Sequence, residues 1–171
     1  MKLFRDYLTG DEMFVDTSKH EAINDAFYMV VGKHITMSDG NIELAGSNPS
    51  AEEAAEGCDE NSVSGIDVVI HQRLMETQFG SKKDYMTYMK EYLKNLTKKL
   101  NEEGKTDAVA KLKCIQGPLV EILKNFKDLQ FFTGESQNPD GMVALLDYKE
   151  IDGEERPVIY FPMYGLEELK L

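Results

Sequence analysis

The pattern of apolar and polar residues divides the chain into two strand-forming ends and a helical middle. Residues 1–36 alternate over short stretches, as at Phe27, Met29 and Val31, and Thr9-Gly10-Asp11 has turn chemistry. Further short apolar runs between turn residues predict strands at residues 66–70, 130–133, 142–148 and 158–161. The connecting turns are predicted at residues 138–141 and 152–153.

The middle of the chain has helical period. Ser81 and Asp84 have the spacing of a capping box, with Asp in place of the usual Glu or Gln. Behind them, apolar residues recur every three or four positions: Tyr85, Tyr88, Met89, Tyr92, Leu93, Leu96 and Leu100. Gly104 is predicted to end this helix.

A second helix is predicted to begin near Thr106. Its apolar stripe consists of Val109, Leu112, Ile115, Leu119, Ile122, Leu123 and Phe126. A kink is predicted at Gly117-Pro118, because proline has no backbone donor. Two long helices with a short connection predict an antiparallel hairpin over residues 81–127. Strands on both sides of this hairpin predict a single α+β domain over residues 1–171.

Residues 37–65 differ in composition from the rest of the chain. No Lys or Arg occurs between Lys33 and Arg73, and the interval contains eight acids: Asp39, Glu43, Glu52, Glu53, Glu56, Asp59, Glu60 and Asp67. This composition favours a mobile surface loop, because it cannot bury enough apolar surface to offset chain entropy. Ser38-Asp39-Gly40-Asn41-Ile42-Glu43 has too few ligands for an EF-hand, so any calcium binding is predicted to be weak, at a site that the sequence leaves unknown.

Composition narrows the class of protein. The chain has 171 residues, 42% of them hydrophobic, and a formal net charge of −12, which disfavours non-specific binding to nucleic acid or anionic lipid without excluding a local basic patch. Two cysteines are too few for a disulfide scaffold. Cys114 is expected to pack near the stripe of the second helix, and Cys58, among carboxylates, to be a poor nucleophile. Without a long apolar run or a signal peptide, a cytoplasmic location without integral membrane association is expected.

Positive charge is concentrated in the predicted hairpin. Residues 81–128 contain 11 lysines and seven acids, a local charge of +4 that leaves −16 for the rest. Lys90, Lys94 and Lys98 repeat every four residues and therefore share one helix face. This face is predicted to bind an acidic protein, and a solvated surface without a partner is the alternative.

No motif in the sequence predicts catalysis. His20, His34 and His71 are far apart, and neither a His-Glu-x-x-His nor a Cys-x-x-Cys zinc motif occurs. The glycine-rich nucleotide motifs and the nucleophile elbow are also missing. The chain is therefore predicted to be a binding protein and not an enzyme.

Two segments resemble the signatures of the translationally controlled tumour protein family. Residues 44–53 (Leu-Ala-Gly-Ser-Asn-Pro-Ser-Ala-Glu-Glu) are similar to the first, and residues 126–135 with 138–143 and Tyr148 are similar to the second. Residues 11–14 and 160–168 also fit. The resemblance implies an antiparallel β core similar to small Rab-GTPase accessory proteins, with a projecting helical hairpin and a mobile acidic loop.

The same resemblance implies several partners. Family members are calcium-binding, microtubule-associated, growth-promoting and anti-apoptotic proteins that bind translation elongation factor 1 subunits, and they are secreted without a signal peptide as a histamine-releasing factor. The hairpin, with Lys90, Lys94 and Lys98, corresponds to the family's tubulin-binding region. Glu12 matches a glutamate implicated in contact with the Ras-like GTPase Rheb. Two alternatives remain open from the sequence, a nucleotide exchange factor for such a GTPase and a weak calcium buffer.

Overall fold

The structure is a computed structural model that describes residues 1–38, 41–44 and 62–170. Its strands are β1 (Lys2–Asp6), β2 (Glu12–Val15), β3 (His20–Ile23), β4 (Phe27–Val31), β5 (His34–Ser38), β6 (Asn41–Leu44), β7 (Ser62–Ile66), β8 (Met75–Thr77), β9 (Gln130–Thr133), β10 (Ala144–Ile151), β11 (Glu154–Pro162) and β12 (Leu166–Lys170). Its α-helices are α1 (Asp67–His71), α2 (Lys82–Glu102), α3 (Thr106–Leu112) and α4 (Gln116–Leu123). Short 3-10 turns, Phe126–Asp128 and Met163–Gly165, precede β9 and β12.

The largest sheet has six antiparallel strands in the order β3-β4-β11-β10-β9-β8. Its centre is the hairpin of β10 and β11, whose turn places Asp152 at φ 53° and Gly153 at φ 82°. Two consecutive positive φ values match the right-handed twist of a tight hairpin, and Asp-Gly accommodates them. Leu146 and Ile159 face each other across the pair, and both are fully buried. The α+β fold with an antiparallel β core is therefore confirmed.

Two three-stranded antiparallel sheets complete the β structure, in the orders β12-β1-β2 and β6-β5-β7. The second of them corrects the boundaries of the predicted acidic loop. Residues 41–44 and 62–65 pair with β5 as parts of β6 and β7, because backbone pairing needs no apolar side-chain pattern. Residues 39–40 and 45–61, where most of the predicted mobile loop and Cys58 fall, lie outside the described residues.

The prediction of a strand at residues 66–70 was wrong. Strand β7 ends at Ile66, and the apolar run that follows is the short helix α1. Asp67 opens this helix, and its Oδ1 accepts hydrogen bonds from the backbone N–H groups of Val68 and Lys33. A short apolar run fits a strand and a buried helix equally well, and here the negative charge of Asp67 in the first turn favours the helix.

The first helix of the predicted hairpin is confirmed as α2. The Oγ of Ser81 accepts a 3.2 Å hydrogen bond from the N–H of Asp84, as its capping position requires. At the other end Gly104 has φ 74°, while the N–H of Lys105 bonds the carbonyl of Leu100. This arrangement satisfies the last carbonyls of the helix and ends it at the predicted glycine.

The second predicted helix is divided into α3 and α4, and the break lies at residues 113–115. Pro118 explains the position, because it cannot donate to the carbonyl of Cys114 and its ring crowds that carbonyl. The predicted kink is therefore real but lies about one turn earlier than predicted. The break also corrects the expectation for Cys114, whose side chain is exposed and not packed.

One face of the helical hairpin belongs to the same hydrophobic cluster as the sheets. The buried residues of α2 are Tyr85, Met89, Tyr92, Leu96 and Leu100, each at most 2% exposed. Tyr88, also on the predicted stripe, donates a 2.6 Å hydrogen bond to the carbonyl of Gly141 before β10. The hairpin is thus fixed to the β core along its apolar stripe, and its polar face remains available.

Candidate partner-binding sites

The predicted lysine row lies on the exposed face of α2. Lys90, Lys94 and Lys98 are all exposed, because the apolar stripe turns the opposite face into the core. They take part in none of the ion pairs found among residues 1–38 and 64–170. The structure divides this row, since Lys90 and Lys94 line a groove and Lys98 is not among its lining residues.

This hairpin groove runs between α2 and the junction of α3 and α4. It has a volume of about 470 Å³, and its lining residues are Lys90, Leu93, Lys94, Thr97, Leu112, Lys113, Ile115 and Gln116. Leu112 and Ile115 are buried and Leu93 is half-buried. The groove therefore combines an apolar floor with three ammonium groups, and none of its described lining residues is a carboxylate.

Lys113 is the groove residue that the sequence pattern does not predict. It follows the last residue of α3, in the turn that Pro118 imposes. A continuous second helix does not predict that this position shares a groove with Lys90 and Lys94. The only signal in the sequence was the proline, because a helix usually breaks about one turn before it.

The neighbouring lysine, Lys99, has a structural role instead. Its Nζ donates a 2.9 Å hydrogen bond to the backbone carbonyl of Tyr7 and lies 5.1 Å from the centroid of that ring. Lys105 Nζ lies over the same ring, at 4.5 Å from the centroid. These contacts attach the hairpin to the end of β1, so Lys99 is not part of the predicted partner-binding face.

Glu12, the predicted GTPase contact, is exposed at the first position of β2. Arg5 lies opposite it in the sheet, but the Nε of Arg5 binds Glu167 on the other side, at 3.0 Å. Among the described residues, Glu12 forms no ion pair of its own. Its carboxylate is therefore available to a basic partner.

The turn that precedes Glu12 contacts the loop between β9 and β10, which lies in the segment that resembles the second family signature. Asp11 Oδ2 accepts a 2.6 Å hydrogen bond from the hydroxyl of Ser136. In the same loop, Glu135 pairs with Arg73 at 3.3 Å. Glu12 and this loop are far apart in the sequence, and only the tertiary structure brings the two segments together.

The histidines have three separate environments. His20 packs edge-on against Phe4 and Phe14, His34 stacks on Tyr148, and His71 is exposed at the end of α1. Within residues 1–36 and 64–170, no group of three or more His, Cys, Asp or Glu is arranged to hold a metal ion. Calcium binding therefore stays a prediction, since much of the acidic segment lies outside those ranges.

None of the described helices is long and apolar enough to cross a bilayer.

The chain is similar to known proteins in both sequence and structure. The sequence profile of the translationally controlled tumour protein family matches residues 1–167. A translationally-controlled tumor protein homolog from Drosophila melanogaster is 50% identical over 172 residues and 99% of each chain. The homolog from Grammostola rosea is 50% identical over 175 residues and the full length of both chains.

Solved structures agree with the sequence comparison. The tumor-associated protein p23fyp from Schizosaccharomyces pombe is 35% identical, covers 100% of both chains and superposes with a TM-score of 0.76. The translationally-controlled tumor protein from Caenorhabditis elegans is 33% identical, with a TM-score of 0.72 over 100% of this chain and 99% of that one. The chain therefore belongs to the translationally controlled tumour protein family.

Proposed function

We propose that this protein acts by binding partners in the cytoplasm and that its hairpin groove holds an acidic segment of tubulin on microtubules. The observation that carries this proposal is the meeting of Lys90, Lys94 and Lys113 around an apolar floor, with no carboxylate among the described lining residues. The family resemblance supports the same partner, because it identifies the helical region with tubulin binding.

The charge distribution favours the hairpin as the contact for an acidic partner. Residues 81–128 carry +4, while the rest of the chain carries −16. Most of the molecule therefore repels an acidic protein, and the hairpin attracts it, which orients the encounter. Attraction between exposed charges is screened over about 8 Å at physiological salt, so binding should weaken as salt rises.

The apolar floor adds specificity to this attraction. Leu93, Leu112 and Ile115 offer a contact for one or two apolar side chains of the bound segment. Burying such side chains contributes about 25 cal/mol per Å² of apolar surface removed from water. An acidic segment with apolar residues should therefore bind better than a purely acidic one.

Co-sedimentation with microtubules tests this function. Reversing the groove charges with Lys90→Glu, Lys94→Glu and Lys113→Glu should abolish sedimentation, while circular dichroism shows an intact fold, because Glu and Lys have similar helix propensity. The matched control reverses Lys82, Lys83 and Lys127, which are exposed on the hairpin region but do not line the groove. If both triple variants lost microtubule binding equally, the loss would be due to the change in net charge. That result would contradict a binding site in the groove.

A second function, contact with a Ras-like GTPase, is favoured by Glu12. Its carboxylate is exposed and outside the ion pairs of the described residues, beside a turn that Asp11 and Ser136 hold in place. We propose contact and not nucleotide exchange. A fluorescent-nucleotide release assay separates the two, since release that accelerates with added protein would establish exchange.

The family resemblance alone supports the remaining partners that we propose. They are calcium at a weak site, translation elongation factor 1 subunits and anti-apoptotic regulators. Secretion without a signal peptide also rests on that resemblance. No described residue is singled out for any of these.

A further inference from the structure

A second cavity, the basic cleft, lies among β2, β4 and α1. Its volume is about 400 Å³. The charged and titratable residues that line it are Lys19, Lys33, Asp67, His71 and Arg156, and its apolar lining includes Phe14, Val15, Val31 and Val68. It shares no lining residue with the hairpin groove, so it is independent of the function proposed above.

The positive charge of this cleft is unusual for this chain. Outside residues 81–128 the chain has only eight Lys and Arg residues, and three of them, Lys19, Lys33 and Arg156, meet here. Asp67 is the one acidic residue among the described lining residues. Its Oδ1 is already occupied by the N–H groups of Lys33, at 3.0 Å, and Val68, at 2.8 Å. The cleft therefore favours an anion.

Backbone hydrogen bonds hold the walls of the cleft. The N–H of Val31 donates to the carbonyl of Lys19 at 2.8 Å, and the N–H of Asp67 donates to the carbonyl of Lys33 at 2.9 Å. Gly32 allows the close approach of the junction between β7 and α1, because a Cβ there would lie 2.8 Å from Ile66 Cγ2 and 3.1 Å from Asp67 Oδ1. The two lysines therefore start from fixed backbone positions, which lowers the entropy cost of binding.

Two carboxylates outside the lining compete for the basic side chains. Asp152 lies 3.9 Å from Lys19, and Glu154 lies 3.0 Å from Arg156. The Lys19 pair is long, and its side chains are 70% and 86% exposed. Exposed pairs contribute little to stability, so a phosphate that reaches both cations can displace them.

We propose that the basic cleft binds a small phosphorylated molecule. Its phosphate would contact Lys19, Lys33 and Arg156, and its uncharged part would pack on Val15, Val31 and Val68. Phosphate suits these cations because its oxygens accept several charge-assisted hydrogen bonds, bidentate ones from arginine included. A volume of about 400 Å³ exceeds what phosphate alone requires and falls within the range of small-molecule sites.

Nuclear magnetic resonance titration of the full chain tests this site with three probes. Phenyl phosphate should shift the amide signals of Gly32, Lys33 and Asp67 saturably. Inorganic phosphate should bind the same residues more weakly, because it lacks the apolar body. Benzyl alcohol, which lacks the charge, should give no saturable shift at concentrations on the order of 10 mM.

The variant for this test combines Lys19→Gln, Lys33→Gln and Arg156→Gln. It should weaken phenyl phosphate binding by about tenfold or more, because it removes the charge-assisted hydrogen bonds. The control combines Lys82→Gln, Lys83→Gln and Lys127→Gln, which make the same change in net charge and should bind as wild type does. Equal weakening in both variants, shifts spread over the hairpin lysines, or no saturable shift in the wild type would each overturn the proposal.

Discussion

Asp6 at the end of β1 accepts a 2.7 Å hydrogen bond from the backbone N–H of Met142, which lies 136 residues later in the chain. The same carboxylate accepts a bond from the N–H of Leu8 and is 2% exposed. It therefore joins the turn that precedes Glu12 to the loop that precedes β10. The position of the proposed GTPase contact depends on this buried acid.

Asp6 should make stability depend on pH in a particular direction. Burial raises the pKa of its carboxyl above the ordinary 3.8, the charge of Asp11 adds to this, and the bonds from Met142 and Leu8 oppose it. The folded protein then holds the proton more tightly than the unfolded chain. The contribution of Asp6 to stability is therefore greatest below pH 3.8 and falls as pH rises through the raised pKa.

Comparison with Asp6→Asn isolates this effect, because asparagine does not titrate. The free energy of unfolding of the wild type minus that of the variant should decrease as pH rises from about 4, by at most about 1.4 kcal/mol per pH unit. Urea unfolding at a series of pH values measures it. A difference that increases with pH would mean that the hydrogen bonds outweigh the burial of the charge.

Gly141 should not tolerate a methyl group. A Cβ at this position would lie 2.7 Å from Thr9 Cγ2 and 2.9 Å from Asp6 Oδ2. We expect Gly141→Ala to lower the free energy of unfolding by about 1–3 kcal/mol, as overpacking does. The control is Gly117→Ala in α4, where nothing lies within 4 Å and the change should be neutral or stabilising. Thermal melts that give equal values for the two variants would refute the close packing of this turn.

Two adjacent lysines of α2 should differ in their contribution to stability. Lys99→Met removes the bond to the Tyr7 carbonyl and the contact with its ring, and we expect a loss of about 1–2 kcal/mol in the free energy of unfolding. Lys98→Met changes an exposed residue and should leave stability within about 0.5 kcal/mol. Urea unfolding of both variants measures the difference. A Lys99→Met protein as stable as Lys98→Met would show that the hairpin needs no such attachment.

Glu12 should affect partner binding and not the fold. Because its side chain is exposed and makes no ion pair among the described residues, Glu12→Ala should change the free energy of unfolding by less than about 0.5 kcal/mol. Binding to a Ras-like GTPase, measured by calorimetry, should fall. Glu21→Ala on β3 is the matched control, because it also removes an exposed strand carboxylate. A large loss of stability would assign Glu12 a structural role instead.

Calcium should bind weakly. The acidic segment offers several carboxylates but lacks the EF-hand order of ligands, so a dissociation constant of about 10⁻⁴–10⁻³ M is expected. Isothermal titration calorimetry measures the affinity and the stoichiometry together. A submicromolar constant with one defined stoichiometry would require a site that the sequence pattern does not predict.

Local signals in the sequence determined the first helix and most of the strands. Ser81 caps α2, the residues from Tyr85 to Leu100 bury one face of it, and Gly104 ends it, all as the spacing predicted. These features depend on residues a few positions apart, so they can be predicted without knowledge of the tertiary fold. The exposure of Lys90 and Lys94 follows from the same periodicity.

The tertiary structure alone decided which distant residues share a site. Lys113 reaches the hairpin groove because Pro118 breaks the second helix, and Arg156 meets Lys19 and Lys33 because β11 pairs with β4. Periodicity describes one element at a time, so it could predict neither meeting. The same holds for the apolar run after Ile66, which forms a helix and not a strand. Its first residue, Asp67, is held by hydrogen bonds to the backbone of the distant Lys33.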